Sequence, residues 1–563
     1  MTAFDVVIRG GNVVDGTGAP ARTADVAIAA GVVVEVGKVD GAGHREVDAD
    51  GALVIPGFVD IHTHYDGQAT WDTSLAPSSW HGVTTVVMGN CGVGFAPVRA
   101  SDHDKLIELM EGVEDIPGTA LHEGLSWEWR TFAEYLDAVA KVPHDIDVAA
   151  QVPHGALRLH VMGERGANRE PANADDIAAM AELARQAVEA GALGFTTSRT
   201  MNHRTSKGEY TPTLTAEADE LVGIAEALGA AGMGVLQVVS DYLDVDREFD
   251  IFRRMAERSG RPLSTSLVAI PFAPDQYRKV LDLIDEANRD GVAMRAQVAA
   301  RAVGVLNGLQ CTWNPLRMSA HWADVADLPL EAKVRALRDP AMRERMLGGI
   351  DRDRRPFALL FELGDPPNYE PDVADAVGAQ AARAGRDPYD LVYDLLLDDG
   401  GRALLYQPIL NYVDGSLDAA RELIDHEHTV PGLSDGGAHV GTICDGSFPT
   451  TLLSWWGRDR PSGRFGLPYL VRQQCRDTAA TVGLLDRGVL APGYRGDLNV
   501  IDFDRLGLRR PEMHFDLPAG GKRLLQRADG YAHTFVAGVE TYRDGEATGE
   551  LPGKLVRGAR PAP

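Results

Sequence analysis

The sequence predicts an α/β protein: a (β/α)8 TIM-type barrel accompanied by a small β-domain built from both chain ends. Three observations carry this expectation. Between about residues 57 and 435, short apolar runs alternate with amphipathic helical stretches. Before and after that region, glycine-punctuated strands dominate. The chain has 563 residues, enough for a large barrel with a companion.

Taken in order, DVVIRGGNVVDGTG and ADVAIAAGVVVEVG alternate and break at glycines, as short strands with turns do. The character changes at Pro56-Gly57. Apolar runs then read as buried strands, among them FVDIH, VTTVVM, VAAQV, LGFTTS, GVLQVVS, LSTSLV, VAMRAQV and TVPGLS. They number about nine, one more than the barrel needs, so one belongs to an insertion. The stretch 314–360, from WNPLRMSAHW to GGIDRDRRP, breaks the rhythm and reads as that insertion. Between LGFTTS and GVLQVVS, Leu221, Ile224, Ala225 and Leu228 fall at helical spacing behind an acidic first turn and before a glycine stop. From about 488 the strands return in GVLAPGYRGDLNVIDFD and YAHTFVAGVETYRDGE. The expected boundaries are 1–56 with 488–563 for the β-domain and 57–487 for the barrel.

Composition narrows the function. Lys and Arg number 55 against 82 Asp and Glu, a formal charge of −27, with no basic block. Such a chain is a poor ligand for a phosphate backbone, so no nucleic-acid partner is expected. No apolar run approaches the roughly 18 residues of a membrane span, and the N-terminus enters strand pattern without a signal region. Four scattered cysteines, Cys91, Cys311, Cys444 and Cys475, do not make a disulfide framework, and a reducing cytoplasm fits them. Homo-oligomer formation is left open.

Three segments carry chemistry. His62-Thr63-His64 follows GFVDI; residues two apart on a strand point the same way, so both imidazoles can grip one cation. They close the first barrel strand, on the face where such barrels place active sites. Asp435, in PGLSDGGAH, closes the last strand; a carboxylate there can ligate a metal and move a proton, or merely cap a helix. Cys91, in MGNCGVG, follows the second strand; its thiolate suits zinc, although buried cysteine also serves as a packing residue. First and last strands are neighbours in a closed barrel, so these residues converge on one mouth.

These segments resemble the amidohydrolase superfamily, and within it the N-acyl-D-amino-acid deacylases (D-aminoacylases). The resemblance spans nearly the whole chain: DVVIRGGNVVDGTG, VIPGFVDIHTHYD, GVTTVVMGNCGVGFAP, VPHGALRLHVMG, SDGGAH, GVLAPGYRGDLNVIDFD and FVAGVETYRDGEATGELPGKLVRG occur in family order. It implies a zinc-bearing barrel, a small β-sandwich from both termini, and amide hydrolysis by metal-activated water. It also implies metal ligation by His62, His64, Cys91 and Asp435, with Asp435 as general acid/base. The family's further ligand histidines, in segments resembling SHIR and SHLK, are missing; VLQVVSD and STSLVA put Gln237 and Ser266 near those places, and Val268 near the lysine. The arginine expected after the SDG segment is absent from HVGTICDGSFPTT. One metal ion is therefore expected rather than two, with Zn2+ the expected metal, and the D-specificity does not carry over.

Candidates for the missing contacts lie in TTSRTMNHRTSKGEY: His203 as a replacement ligand or acid, and Arg199 or Arg204 for a substrate anion. His154 and Tyr65 are further substrate-side candidates, with Asp66 beside the latter. Glu111, Glu114 and Asp115 read as a solvated helix end. His81 belongs at the opposite end of the barrel, in a stabilising role. The expected activity is hydrolysis of a C–N bond in a small-molecule amide, an N-acyl amino acid or a relative. Cyclic amide or imide hydrolysis, and a binding homologue without catalysis, are the competing readings.

Overall fold

The computed structural model describes residues 4–350 and 355–563. Both chain ends enter one nine-stranded sheet. Phe4–Val13, Arg22–Ala29, Val32–Gly37, Gly43–Asp48 and Leu53–Pro56 come from the first end, and Leu498–Ile501, Tyr531–Val536, Val539–Arg543 and Glu546–Ala547 from the last. The seam is antiparallel, with Leu53 opposite Ile501 and Pro56 opposite Leu498. Alternation explains the pairing: Val6, Ile8, Val26, Ile28, Leu498 and Val500 fall on one face and share a buried core.

The middle of the chain builds two parallel sheets. One contains Phe58–Asp60, Val83–Met88 and Asp147–Ala150. The other runs Thr429–Pro431, Met294–Val298, Leu263–Ser266, Val235–Ser240, Gly194–Arg199 and Val152–Pro153. Every residue of Val83–Met88 is buried, as expected of a parallel strand covered on both faces. Gln151 alone separates the sheets on one side; its amide donates to Met88 O (2.9 Å), and the Leu193 amide to Ala150 O (2.8 Å). On the other side Thr63 bridges Gly436 in parallel. The chain just after the first parallel strand thus lies alongside the chain just after the last.

The helix expected after LGFTTS spans Ala218–Ala231, buries Leu221, Ile224, Ala225 and Leu228, and ends at Gly232 with φ +65°. The rhythm break at 314–360 lies inside a larger unit. An antiparallel three-stranded sheet, Val303–Asn307, Leu405–Leu410 and Phe361–Glu362, brackets it. Leu316, Leu337, Met346, Phe357, Tyr393 and Leu396 form a separate core there, because these helices pack on one another. Residues 351–354 of that stretch lie outside the described residues. A hairpin, Glu512–Leu517 with Gly521–Leu525, leaves the terminal sheet and donates its Leu524 amide to Val440 O (2.6 Å), against the loop that carries Asp435. Among the described residues no helix is long and apolar enough to cross a membrane.

Candidate metal centre

His62 and His64 continue the line of the strand Phe58–Asp60. Thr63 between them turns the other way, its hydroxyl donating to Val87 O (2.8 Å), so the imidazoles share the opposite side. The loop after the last strand fixes their backbone: the Asp435 amide donates to His62 O (3.1 Å) and the His64 amide to Gly436 O (2.8 Å). Both histidines are 1% exposed.

Cys91 is delivered by a tight turn after Val83–Met88. Gly89 (φ +86°), Cys91 (+55°) and Gly92 (+67°) are all left-handed. Asn90 braces the turn by donating to Thr63 O (3.2 Å) and Val87 O (2.9 Å). The Cys91 Sγ stands 3.4 Å from His62 Nε2. The third segment is held in the same strained region: Leu433, Asp435 and His439 have φ of +58°, +48° and +49°. Non-glycine residues in this region cost about 1–3 kcal/mol each and concentrate where a side chain must be aimed. Asp435 Oδ1 lies 3.4 Å from His62 Nε2 and 3.5 Å from His64 Nε2.

Nitrogen, sulfur and oxygen donors thus face a common point. His62, His64 and Cys91 offer ligand atoms within 4.8 Å of one another, and neither ring nitrogen of His64 has a hydrogen-bond partner. Two imidazoles, a thiol and a carboxylate fit a borderline-soft divalent cation such as zinc. The electrostatics agree. Burial pushes both imidazoles down, leaving them neutral with lone pairs to offer. Burial alone would raise Asp435, but the close approach of His64 and the nearness of His62 and His439 hold it well below the carboxylate range. Burial and the carboxylates Glu114, Asp435 and Asp66 push the Cys91 thiol up, so the thiolate needs a cation beside it.

A family model described as amidohydrolase family matches residues 45–547. The chain belongs to the amidohydrolase family. An uncharacterized Mycobacterium tuberculosis protein is 30% identical over 97% of this amidohydrolase and 93% of its own length. The D-aminoacylase of Alcaligenes xylosoxydans xylosoxydans is 33% identical over 41% of this chain and 43% of that one. A solved D-aminoacylase, described as having a binuclear metal centre, superposes with a TM-score of 0.67 at 25% identity, covering 99% of this chain and 100% of that one. With these relatives, the enzyme is a hydrolase of carbon–nitrogen bonds other than peptide bonds.

The remaining predicted residues of this amidohydrolase stand outside the four-residue cluster, His203 and Tyr65 nearest to it. His154 opens a helix inside a buried network, its Nδ1 2.8 Å from Thr197 Oγ1 and its Nε2 2.8 Å from Glu220 Oε1. Arg158 donates to the same carboxylate (2.6 Å). Arg199 is clamped on Glu248 through Nε (2.7 Å) and Nη2 (2.9 Å). Arg204 stacks on Tyr210, 4.0 Å from the ring centroid. His203 is half-buried with Nδ1 2.9 Å from Ser198 Oγ; burial, then the charges of His439 and His64, push it down to about 3. Tyr65 is buried, donating to Ser78 Oγ (2.8 Å), and its ring lies under Gly437, where a Cβ would come within 2.9 Å of it.

Glu114 is a correction. It is 1% exposed rather than solvated, with Oε1 3.3 Å from His64 Nδ1 and Oε2 3.5 Å from His439 Nε2. The helix His103–Glu114 ends there because Asp115 turns left-handed (φ +51°), and Thr312 and the Gly441 amide hold Asp115 under the Asp435 loop. His439 was legible as the histidine four residues after Asp435 in SDGGAH. Gln297, which accepts from His62 Nδ1 at 2.8 Å, carries no motif at all.

Proposed function

We propose that this amidohydrolase hydrolyses an N-acyl amino acid or a related small amide, using one Zn2+ held by His62, His64, Cys91 and Asp435. The supporting observation is the convergence of these four side chains from the ends of the first, second and last parallel strands, with the His64 nitrogens left unbonded. On this reading the two parallel sheets are arcs of one closed (β/α)8 barrel, and the terminal sheet belongs to a β-sandwich. A divalent cation bound there supplies Lewis-acid polarisation of the scissile carbonyl and acidifies water.

The chain's own groups do the rest. Asp435 is ionised at neutral pH and so starts in its proton-accepting form. Its Oδ2 faces His439 Nε2 at 3.9 Å, away from the two strand histidines, and is the atom that takes the proton and returns it to the leaving nitrogen. His203 is the substrate-side imidazole. Arg199 is committed to Glu248, whereas Arg204 pairs with no carboxylate among the described residues, so Arg204 is the cation we assign to a substrate carboxylate. All four cysteines are buried and unpaired, in keeping with a cytoplasmic enzyme.

The test is metal content after chelator-free purification, together with turnover of N-acyl-D-amino acids, N-acyl-L-amino acids and cyclic imides. About one zinc per chain is expected, lost in His62→Asn, with amine released from an N-acyl substrate. Equal metal in wild type and His62→Asn would overturn the centre. Turnover confined to cyclic imides would move the substrate to that class.

A further inference from the structure

The strand Met294–Val298, paired with the last parallel strand, and its neighbour Leu263–Ser266 present an amide and a hydroxyl behind His62. Gln297 sits on Met294–Val298, 1% exposed. Its Oε1 is 2.8 Å from His62 Nδ1, and its Nε2 donates to Ser264 Oγ at 2.9 Å. Gly432 makes room for it: a Cβ there would stand 3.0 Å from Gln297 Cβ and 3.1 Å from Oε1. A chain of two hydrogen bonds, from Leu263–Ser266 through Met294–Val298, therefore ends on the back of one metal-facing imidazole.

We propose that Gln297 is a positioning residue that fixes the tautomer of His62. The argument is one of donors and acceptors. A carboxamide oxygen has only lone pairs, so it requires the proton on Nδ1 and leaves the lone pair of His62 on Nε2. That nitrogen is the one 3.4 Å from both Cys91 Sγ and Asp435 Oδ1. Without Gln297, the Asp435 carboxylate would attract the imidazole proton to Nε2 and block the donor. The Ser264 hydroxyl holds the amide NH2 at the far end and so keeps the oxygen toward His62. Met294–Val298 thus orients a ligand of the centre through Gln297 rather than supplying one.

This inference rests on the metal-centre reading above, and its test separates the two. In metal-free wild-type protein, imidazole 15N shifts should show His62 protonated at Nδ1; in Gln297→Leu the proton should move to Nε2. Zinc affinity, measured by competition with a chromophoric chelator, should fall about 10- to 100-fold in Gln297→Leu. Gln297→Glu, which keeps an oxygen acceptor at the same place, should recover it to wild type or better. An Nε2-protonated His62 in the wild type overturns the proposal, as does a Gln297→Leu affinity within threefold of wild type. Equal losses in the Leu and Glu variants would assign Gln297 to packing and overturn it too. A wild type that binds no zinc removes the metal centre, while the tautomer measurement still decides Gln297 alone.

Discussion

Glu114 places a carboxyl group among imidazoles with no lysine or arginine beside it, and neither oxygen has a hydrogen-bond partner among the described residues. Burial raises its pKa well above the usual range, with Asp435 and Asp66 pushing the same way, so the metal-free protein carries it protonated. Glu114→Gln then swaps one neutral group for another of the same shape. Stability of the metal-free protein, read by urea denaturation, should change by less than about 1 kcal/mol. Turnover should fall about tenfold or more, because the group behind His64 can no longer become a carboxylate. An unaltered turnover would remove Glu114 from the site. His62, His64, Cys91 and Asp435 could be picked out as candidates because each stands just past the end of a strand whose pattern is local. Glu114 and Gln297 could not, since their roles come from contacts between distant segments; Gln297 lies 235 residues from His62. Arg199 misled for the same reason: its partner Glu248 is 49 residues away.

The loop Leu433–His439 is the element that brings the centre together, and its glycines are structural requirements. Gly437 has φ +90°, and a Cβ on it would stand 2.9 Å from the Tyr65 ring and 3.1 Å from the His64 carbonyl. Gly437→Ala combines a disfavoured backbone with pressure on the His64 backbone. It should cost at least about 1 kcal/mol in denaturant unfolding and lower zinc content. A variant as stable and as metal-loaded as wild type would show that the loop shifts freely. At this scale the parallel strands and the helix Ala218–Ala231 could be read from periodicity alone. The 303–410 unit could not, because its short helices alternate with strands of two, five and six residues whose pairing is non-local.

His81 ties the body of the molecule to its terminal β-region. Buried between them, it has Nδ1 2.8 Å from Thr450 Oγ1 and donates from Nε2 to Gln526 O at 2.9 Å, while Tyr531 donates to its carbonyl. Burial, only partly opposed by the Gln526 carbonyl, pushes it down to about 3 from 6.5. The unfolded chain therefore takes up a proton at a higher pH than the folded one. This contribution is complete above pH 6.5 and is lost progressively as pH falls toward 3. Between pH 6.5 and 5 it amounts to about 2 kcal/mol. Unfolding free energies of wild type and His81→Gln, from urea titrations, should converge by that amount over the interval; parallel pH profiles would refute it.

The seam between Leu53–Pro56 and Leu498–Ile501 also bears on how the protein is made. A ribosome adding ~5–20 residues per second needs roughly 20 to 90 seconds to travel from one strand to the other. Throughout that time the first strands carry an open edge that only the end of the message can cover. Folding of the terminal sheet is thus post-synthetic. A chain released early, with every residue of the proposed metal centre already present, would still expose an unpaired β-edge and be a substrate for chaperones or for aggregation.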